Sequence, residues 1–292
     1  MSADFLHSLY SVYGFVQGGN MARLHDGTEL EVTVLGDGPV VLLPMGVTVT
    51  EEPRASQMRA WGAEPDTGHL LAAGLAAAGF RVVAADYEAH RASHPAALTA
   101  ATVAQDLLAL TGGERFAYYG YSWLALAGLQ LAIRTDRMTA LVMGGYPPLG
   151  GPYAEMLAVT RAAHRMATEK PPAGGPVTPG DWESVEVTVP PEQTAQYVSL
   201  YESLTSFDER TAVLTIPRMA FAGSEDNIQY GPKWGSVRVP IAERLIRNRA
   251  ELESMGWGVQ LIPGVDHTAG MRPELVLPIL LDNFSALADL RK

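Results

Sequence analysis

The sequence predicts an α/β fold, a mostly parallel sheet with helices on both faces. From residue 69 onward, short apolar runs alternate with Ala/Leu-rich helical stretches of crossover length. The strand-like runs, such as Arg81 to Ala85 and Ala140 to Gly144, are nearly apolar throughout, as strands buried on both faces must be. The residues able to do chemistry fall where such runs end, at the carboxyl edge of the sheet.

Taken in order, residues 3 to 17 are apolar and aromatic and predict an arm that packs on the body or on the partner subunit of a homodimer. Three strands follow, Met21 to Leu24, Glu29 to Leu35 and Val40 to Pro44, with Asp26-Gly27 and Asp37-Gly38 between them. Asp-Gly between strand-like runs is a hairpin signal, so these first strands are expected to be antiparallel. Helices are expected over His69 to Ala78, Thr99 to Leu110 and Trp123 to Ile133, and strands over Arg81 to Ala85, Phe116 to Tyr119 and Ala140 to Gly144. From Tyr146 to about Arg210 the alternation stops: helices over Tyr153 to Ala167 and Glu192 to Leu204 flank a stretch rich in proline and glycine. This reads as a helical insertion, giving a core of residues 1–145 and 211–292 and a cap of 146–210. The core resumes with strands at Arg218 to Ala222 and Val259 to Ile262, a charged helix over Ile241 to Ser254 and a closing helix over Glu274 to Leu290.

Composition narrows the function. The 292 residues, 47% hydrophobic, suffice for one large domain with an insertion. With no cysteine, thiolate catalysis, disulfides and Cys-ligated metals are excluded, which fits a cytoplasmic setting. A net charge of −11 with scattered Lys and Arg argues against nucleic acid as a partner. No apolar run reaches the roughly 20 residues of a membrane span. His90 and His94 have the spacing of a metal pair, but no Glu follows the first and Pro95 argues for a loop, so no metal is expected.

The central stretch is Phe116 to Ala125, an aromatic strand that breaks at Gly120 and continues as a helix, with Ser122 at the turn. Such a turn lifts its apex side chain from the sheet edge and presents a helix N-terminus to a developing oxyanion. Serine needs a base, and imidazole, with a pKa of about 6.5, suits the task. His267 follows the last expected strand, and Asp226 follows the strand before it. A buried carboxylate orients the imidazole and steadies its cation. Other readings remain open: Ser122 as a helix N-cap, and Glu225 or Asp266 as the acid.

Serine, acid and histidine in this chain order resemble the α/β-hydrolase superfamily, and the likeness runs from about Met21 to the end. Gly120 and Ser122 match its GxSxG elbow, with Leu124 at the second glycine; Ala125, Ala127 and Gly128 restore space one turn later. Val40 to Gly46 resembles the strand entering the oxyanion loop, and Leu70 to Ser93 the fourth strand and its following loop, with Asp86 at the usual aspartate. The resemblance implies an eight-stranded sheet, and a cap entering after the sixth strand. It implies an oxyanion hole from the backbone N–H of Trp123 with that of Val47, or of Gly46 if the loop is shifted. It also implies a serine hydrolase for an ester, lactone or thioester, with an acyl-enzyme on Ser122 and no cofactor. Carbon–carbon bond hydrolysis and perhydrolysis or haloperoxidase chemistry use the same triad, and a non-catalytic binding protein on this scaffold is a third reading. Tyr121, Met45, Trp61, Tyr153, Met156 and Tyr197 are the candidate wall for an apolar or aromatic substrate. The loop from Val47 to Pro65 is long enough to cover the site together with the cap.

Overall fold

The computed structural model describes residues 20–169, 181–183 and 187–289; the expected arm at residues 3 to 17 and part of the Pro/Gly-rich stretch lie outside them. The strands are β1 (Asn20–Arg23), β2 (Glu29–Leu35), β3 (Val40–Leu43), β4 (Arg81–Ala84), β5 (Phe116–Tyr121), β6 (Met138–Gly144), β7 (Arg218–Gly223), β8 (Ile228–Gln229), β9 (Arg238–Val239) and β10 (Gly258–Ile262). Eight of them form one sheet in the order β1-β2-β4-β3-β5-β6-β7-β10, in which β2 alone runs against its neighbours.

The helices are α1 (Arg54–Ala60), α2 (Thr67–Ala77), α3 (Tyr87–Ser93), α4 (Ala100–Leu110), α5 (Trp123–Ala132), α6 (Tyr153–Thr168), α7 (Pro191–Glu202), α8 (Ile241–Arg247), α9 (Arg249–Ser254) and α10 (Pro273–Asp289). Strand alternation sorts the core into two faces. Val41, Leu43, Ala117 and Tyr119 pack with α2 and α10 through Leu71 and Leu280, whereas Val40, Leu42, Phe116 and Tyr118 pack with α4 and α5 through Leu107 and Leu126. The apolar runs are therefore the central strands, and β3 and β5 are buried along their whole length.

Three expectations are corrected, and one element had no signal in the sequence. Asp37-Gly38 does not close a hairpin: β3 runs opposite to β2, but β4 lies between them and pairs with both. The fully apolar Val40–Leu43 is covered on both faces in the sheet interior, which a place at the edge would not allow. The stretch after β4 is a helix, α3, rather than a loop. Asp86 starts it by accepting from the Ala89 N–H at 3.0 Å, and it ends just before Pro95. His90 and His94 stack with ring centroids 4.5 Å apart, and Thr28 Oγ1 meets His90 Nε2 at 2.9 Å. The charged helix expected over Ile241 to Ser254 breaks at Asn248, whose Nδ2 donates to the Leu149 carbonyl at 2.8 Å. Finally, β8 and β9 form a small antiparallel pair that is too short for any periodicity to show.

Two buried polar groups tie α3 to the N-terminal strands. Asp106, fully buried on α4, accepts from the His25 N–H at 2.6 Å and the Tyr87 hydroxyl at 2.7 Å, and meets His25 Nδ1 at 2.8 Å. Arg91, also fully buried, donates to Asp26 at 2.8 Å and to Thr28 at 2.9 Å. Burial raises the Asp26 carboxyl, but hydrogen bonds from Thr28 and Arg91 outweigh it and hold the group well below the usual carboxylate range. Among the described residues no helix is long and apolar enough to cross a membrane.

Asp26→Asn removes the counter-charge of a buried guanidinium and is expected to lower stability by about 2 kcal/mol at neutral pH. Because the Asp26 pKa is depressed on folding, this deficit is complete above the ordinary carboxylate value of 3.8 and narrows as pH falls below it. Urea unfolding of both proteins across that pH range checks the sign.

Candidate active site

The site lies where β5, β7 and β10 end. The turn after β5 holds Ser122 at φ 56°, ψ −128°, a left-handed conformation rare for a residue with a Cβ. Neighbours pin it: the Ser122 N–H donates to the Gly144 carbonyl of β6 at 2.8 Å, and the Ser122 carbonyl accepts from Ala125 N–H at 2.9 Å. A Cβ on Gly120 would lie 2.4 Å from the Leu124 carbonyl oxygen, so only glycine lets the helix backbone fold back this closely.

This geometry accounts for Leu124. The close approach is made by its carbonyl, which also accepts from the Tyr118 hydroxyl at 2.7 Å, while its side chain is buried in the core with α4 and α5. Space one turn later comes from Gly128, where a Cβ would meet the Tyr118 ring at 2.3 Å. The bulk of leucine therefore falls on the core side of the turn and leaves the strained backbone at Ser122 in place.

His267 and Asp226 arrive on loops locked together at the ends of β10 and β7. A Cβ on Gly223 would lie 1.9 Å from the Val265 carbonyl oxygen, and Glu225 N–H donates to that carbonyl at 3.0 Å. His267 Nε2 is 3.1 Å from Ser122 Oγ, and its Nδ1 is 2.9 Å from Asp226 Oδ1. Asp226 is fully buried and His267 is 8% exposed, so the contact between them is shielded from water. Of the three candidate acids only Asp226 reaches the imidazole. Asp266 instead accepts from Ala269 N–H at 2.8 Å, and Glu225 lines a neighbouring cleft.

The other candidates divide by position. Tyr121 is buried beneath the turn, its hydroxyl donating to the His267 carbonyl at 2.8 Å and its ring 5.2 Å from the imidazole. Burial and the nearby Asp226 charge push its phenol well up. It supports the loop of His267. Trp123 is the first residue of α5, where an N–H has no intrahelical acceptor, and its ring stands edge-on to Tyr197 of α7 at 5.4 Å. Gly46 and Val47 follow β3, with the Gly46 carbonyl against Gly68 at the start of α2 and the half-buried Met45 packed beside it. Tyr153 and Met156 sit on α6; the Tyr153 ring lies 6.0 Å from Tyr146 and 6.0 Å from Phe207.

Trp61, on the long loop after β3, meets Trp182 of the inserted segment at 5.7 Å, and Trp182 stands 6.4 Å from the His267 ring. Sequence reasoning missed Trp182, which lies in an irregular stretch with no periodicity to mark it. It also missed Glu88, whose Oε1 accepts from the Trp123 indole N–H at 3.1 Å. The signal that was available was position: Glu88 follows closely on the end of a central strand. Among the described residues, no cluster of three or more His, Asp or Glu side chains is placed to hold a metal ion.

No family model matches the chain, and no curated protein matches it by sequence. Solved structures do. A thermophilic esterase from Thermogutta terrifontis superposes with a TM-score of 0.56 at 17% identity, covering 93% of this chain and 100% of the esterase. A bromoperoxidase from Bacillus anthracis gives 0.55 at 18% identity, covering 92% and 100%. Epoxide hydrolase A from Mycobacterium thermoresistibile gives 0.52 at 18%, covering 92% and 98%. With these relatives in shape, and with its own strand order and the strand-to-helix turn at Ser122, the chain has the α/β-hydrolase fold.

Proposed function

We propose that the protein is a serine hydrolase that cleaves a carboxylic ester, lactone or thioester of a small molecule with an apolar or aromatic body. The observation that carries this reading is the relay from Ser122 Oγ to His267 Nε2 at 3.1 Å and from His267 Nδ1 to the buried Asp226 at 2.9 Å. Its likeness in shape to an esterase agrees with it.

In the first half-reaction Ser122 Oγ attacks the acyl carbon while its proton passes to His267 Nε2. Asp226 accepts from Nδ1–H, fixes that tautomer and stabilises the imidazolium. The N–H of Trp123, with that of Val47 or Gly46, holds the oxyanion, each donor contributing about 3 kcal/mol to the transition state. His267 then protonates the leaving oxygen or sulfur. In the second half, water gives its proton to Nε2 and attacks the acyl-enzyme, and His267 returns that proton to Ser122 Oγ as the acid leaves, with no cofactor taking part.

Residues 146–210 act as a cap in this reading. The Trp61–Trp182 contact beside His267 and the Trp123–Tyr197 contact beside Ser122 support it, since each brings a ring of the inserted segment to the reacting residues. Perhydrolysis by the same residues is a second reading, favoured by the likeness to a bromoperoxidase.

Ser122→Ala is expected to abolish ester cleavage and labelling by a fluorophosphonate probe. Stoichiometric labelling of the wild type, read by intact-mass spectrometry and absent in the variant, checks it; an unlabelled wild type that cleaves no ester overturns the reading. Asp226→Asn is expected to lower kcat by about 10³ to 10⁴-fold with KM little changed, because the imidazole loses its oriented tautomer. Steady-state kinetics on short and long acyl esters, with peroxide plus acetate in parallel, separates hydrolysis from perhydrolysis.

A further inference from the structure

We propose that Glu88 determines specificity by seating a cationic group of the substrate, an ammonium or quaternary ammonium, in an aromatic corner beside Ser122. This rests on the serine hydrolase reading given above. The corner is formed by three side chains from three elements. Glu88 of α3 accepts from the Trp123 indole at 3.1 Å, Trp123 is the neighbour of Ser122 in the chain, and Tyr197 of α7 stands edge-on to that indole at 5.4 Å.

Glu88 differs from the other carboxylates around it. Asp106 takes donors from His25 and Tyr87, and Asp26 is paired with Arg91, so both carboxylates have partners within the fold. Glu88 has the single indole donor and, among the described residues, no ion-pair partner. Glu88 is solvent-exposed, so a ligand can reach its carboxylate. Desolvation pushes its carboxyl up, the indole N–H works against that, the Asp86 charge adds to it and Arg54 offsets part of it. Burial also raises the Tyr197 phenol, with the Glu88 charge adding to the effect, so carboxylate and phenol share one space. An exposed carboxylate with no ion-pair partner is open to a cationic group, and the rings beside it lower the local dielectric and strengthen that attraction. The rings of Trp and Tyr attract the same kind of ligand through their faces.

The polarity continues in a cleft that His267 also lines. A cleft of about 380 Å³ is lined by Asp181, Glu183, Glu225 and Asp266 together with Trp182 and His267. With a net charge of −11 on the chain, the field around the site draws cations toward it.

The test compares isosteric esters that differ only in charge: an acylcholine against the 3,3-dimethylbutyl ester of the same acid, and a trimethylammonio-acyl ester against its neutral tert-butyl analogue. Glu88→Gln keeps an oxygen acceptor for the Trp123 indole and removes the charge. In at least one pair the wild type is expected to favour the cation, and the ratio of kcat/KM values, cationic to neutral, is expected to fall about tenfold in Glu88→Gln. A general loss of activity cancels in that ratio. No cation preference in either pair, or an unchanged ratio in the variant, overturns the proposal.

Binding of choline and of 3,3-dimethylbutanol, read by tryptophan fluorescence, gives the same comparison without turnover. Tighter choline binding that is lost in Glu88→Gln supports the seat, and equal affinities in the wild type overturn it. Absence of fluorophosphonate labelling and of all ester cleavage would instead count against the hydrolase reading, so the two failures are distinguishable.

Discussion

Everything at the site depends on one backbone residue being held where it is unfavourable. Ser122 sits at φ 56°, a conformation that costs a side-chain-bearing residue about 1 to 3 kcal/mol and persists only when its surroundings over-determine it. They do so from three directions: the Gly144 carbonyl of β6 receives the Ser122 N–H, the first turn of α5 receives its carbonyl, and the Tyr118 hydroxyl holds the carbonyl of Leu124. The strain is met by the cohesion of a fully buried strand and a fully buried helix face, β5 and α5. Its consequence is that Oγ projects from the sheet edge toward His267 rather than capping its own helix, and no cap hydrogen bond from the Ser122 side chain is formed.

A second constraint is that buried polar groups need partners, and several of those needs meet at α3. Its Arg91 and Tyr87 reach the N-terminal strands and α4 through Asp26 and Asp106. Its last carbonyls, at Arg91 and Ala92, accept from Gln196 and Gln193 of α7 at 3.1 and 2.6 Å. Ser199 of α7 and Ser203, which follows it, accept from the N–H groups of Leu98 and Ala100 just beyond. Helix α7 is therefore docked by hydrogen bonds on the element that carries Glu88, and the same docking brings Tyr197 against Trp123. The docking of α7 and the packing around Trp123 are one network.

Leu124 illustrates how a motif departure is read correctly only in three dimensions. The small residue of the elbow pattern answers a need for close backbone approach, and that need is met at Gly120 on one side and Gly128 on the other. Tyr121 illustrates the converse. An aromatic residue next to the nucleophile suggests a pocket wall, but strand alternation turns it into the sheet face shared with α2 and α10, where its hydroxyl braces the loop of His267.

The sequence by itself determined the layered α/β architecture, because fully apolar runs alternating with helix-length segments have few other ways to bury their surface. It also determined the order of Ser122, Asp226 and His267 at strand ends, since chemistry-bearing residues just beyond buried strands stand out against an apolar background. What only the tertiary structure decided depends on contacts between distant residues. The hairpin signal at Asp37-Gly38 was overridden because β4, about forty residues later, had to pair between β2 and β3. Asp226 was separated from Glu225 and Asp266 by which carboxylate the locked loops aim at the imidazole. Glu88 and Trp182 come to lie beside Trp123 and His267 only through rings brought together across the fold, which no local pattern encodes.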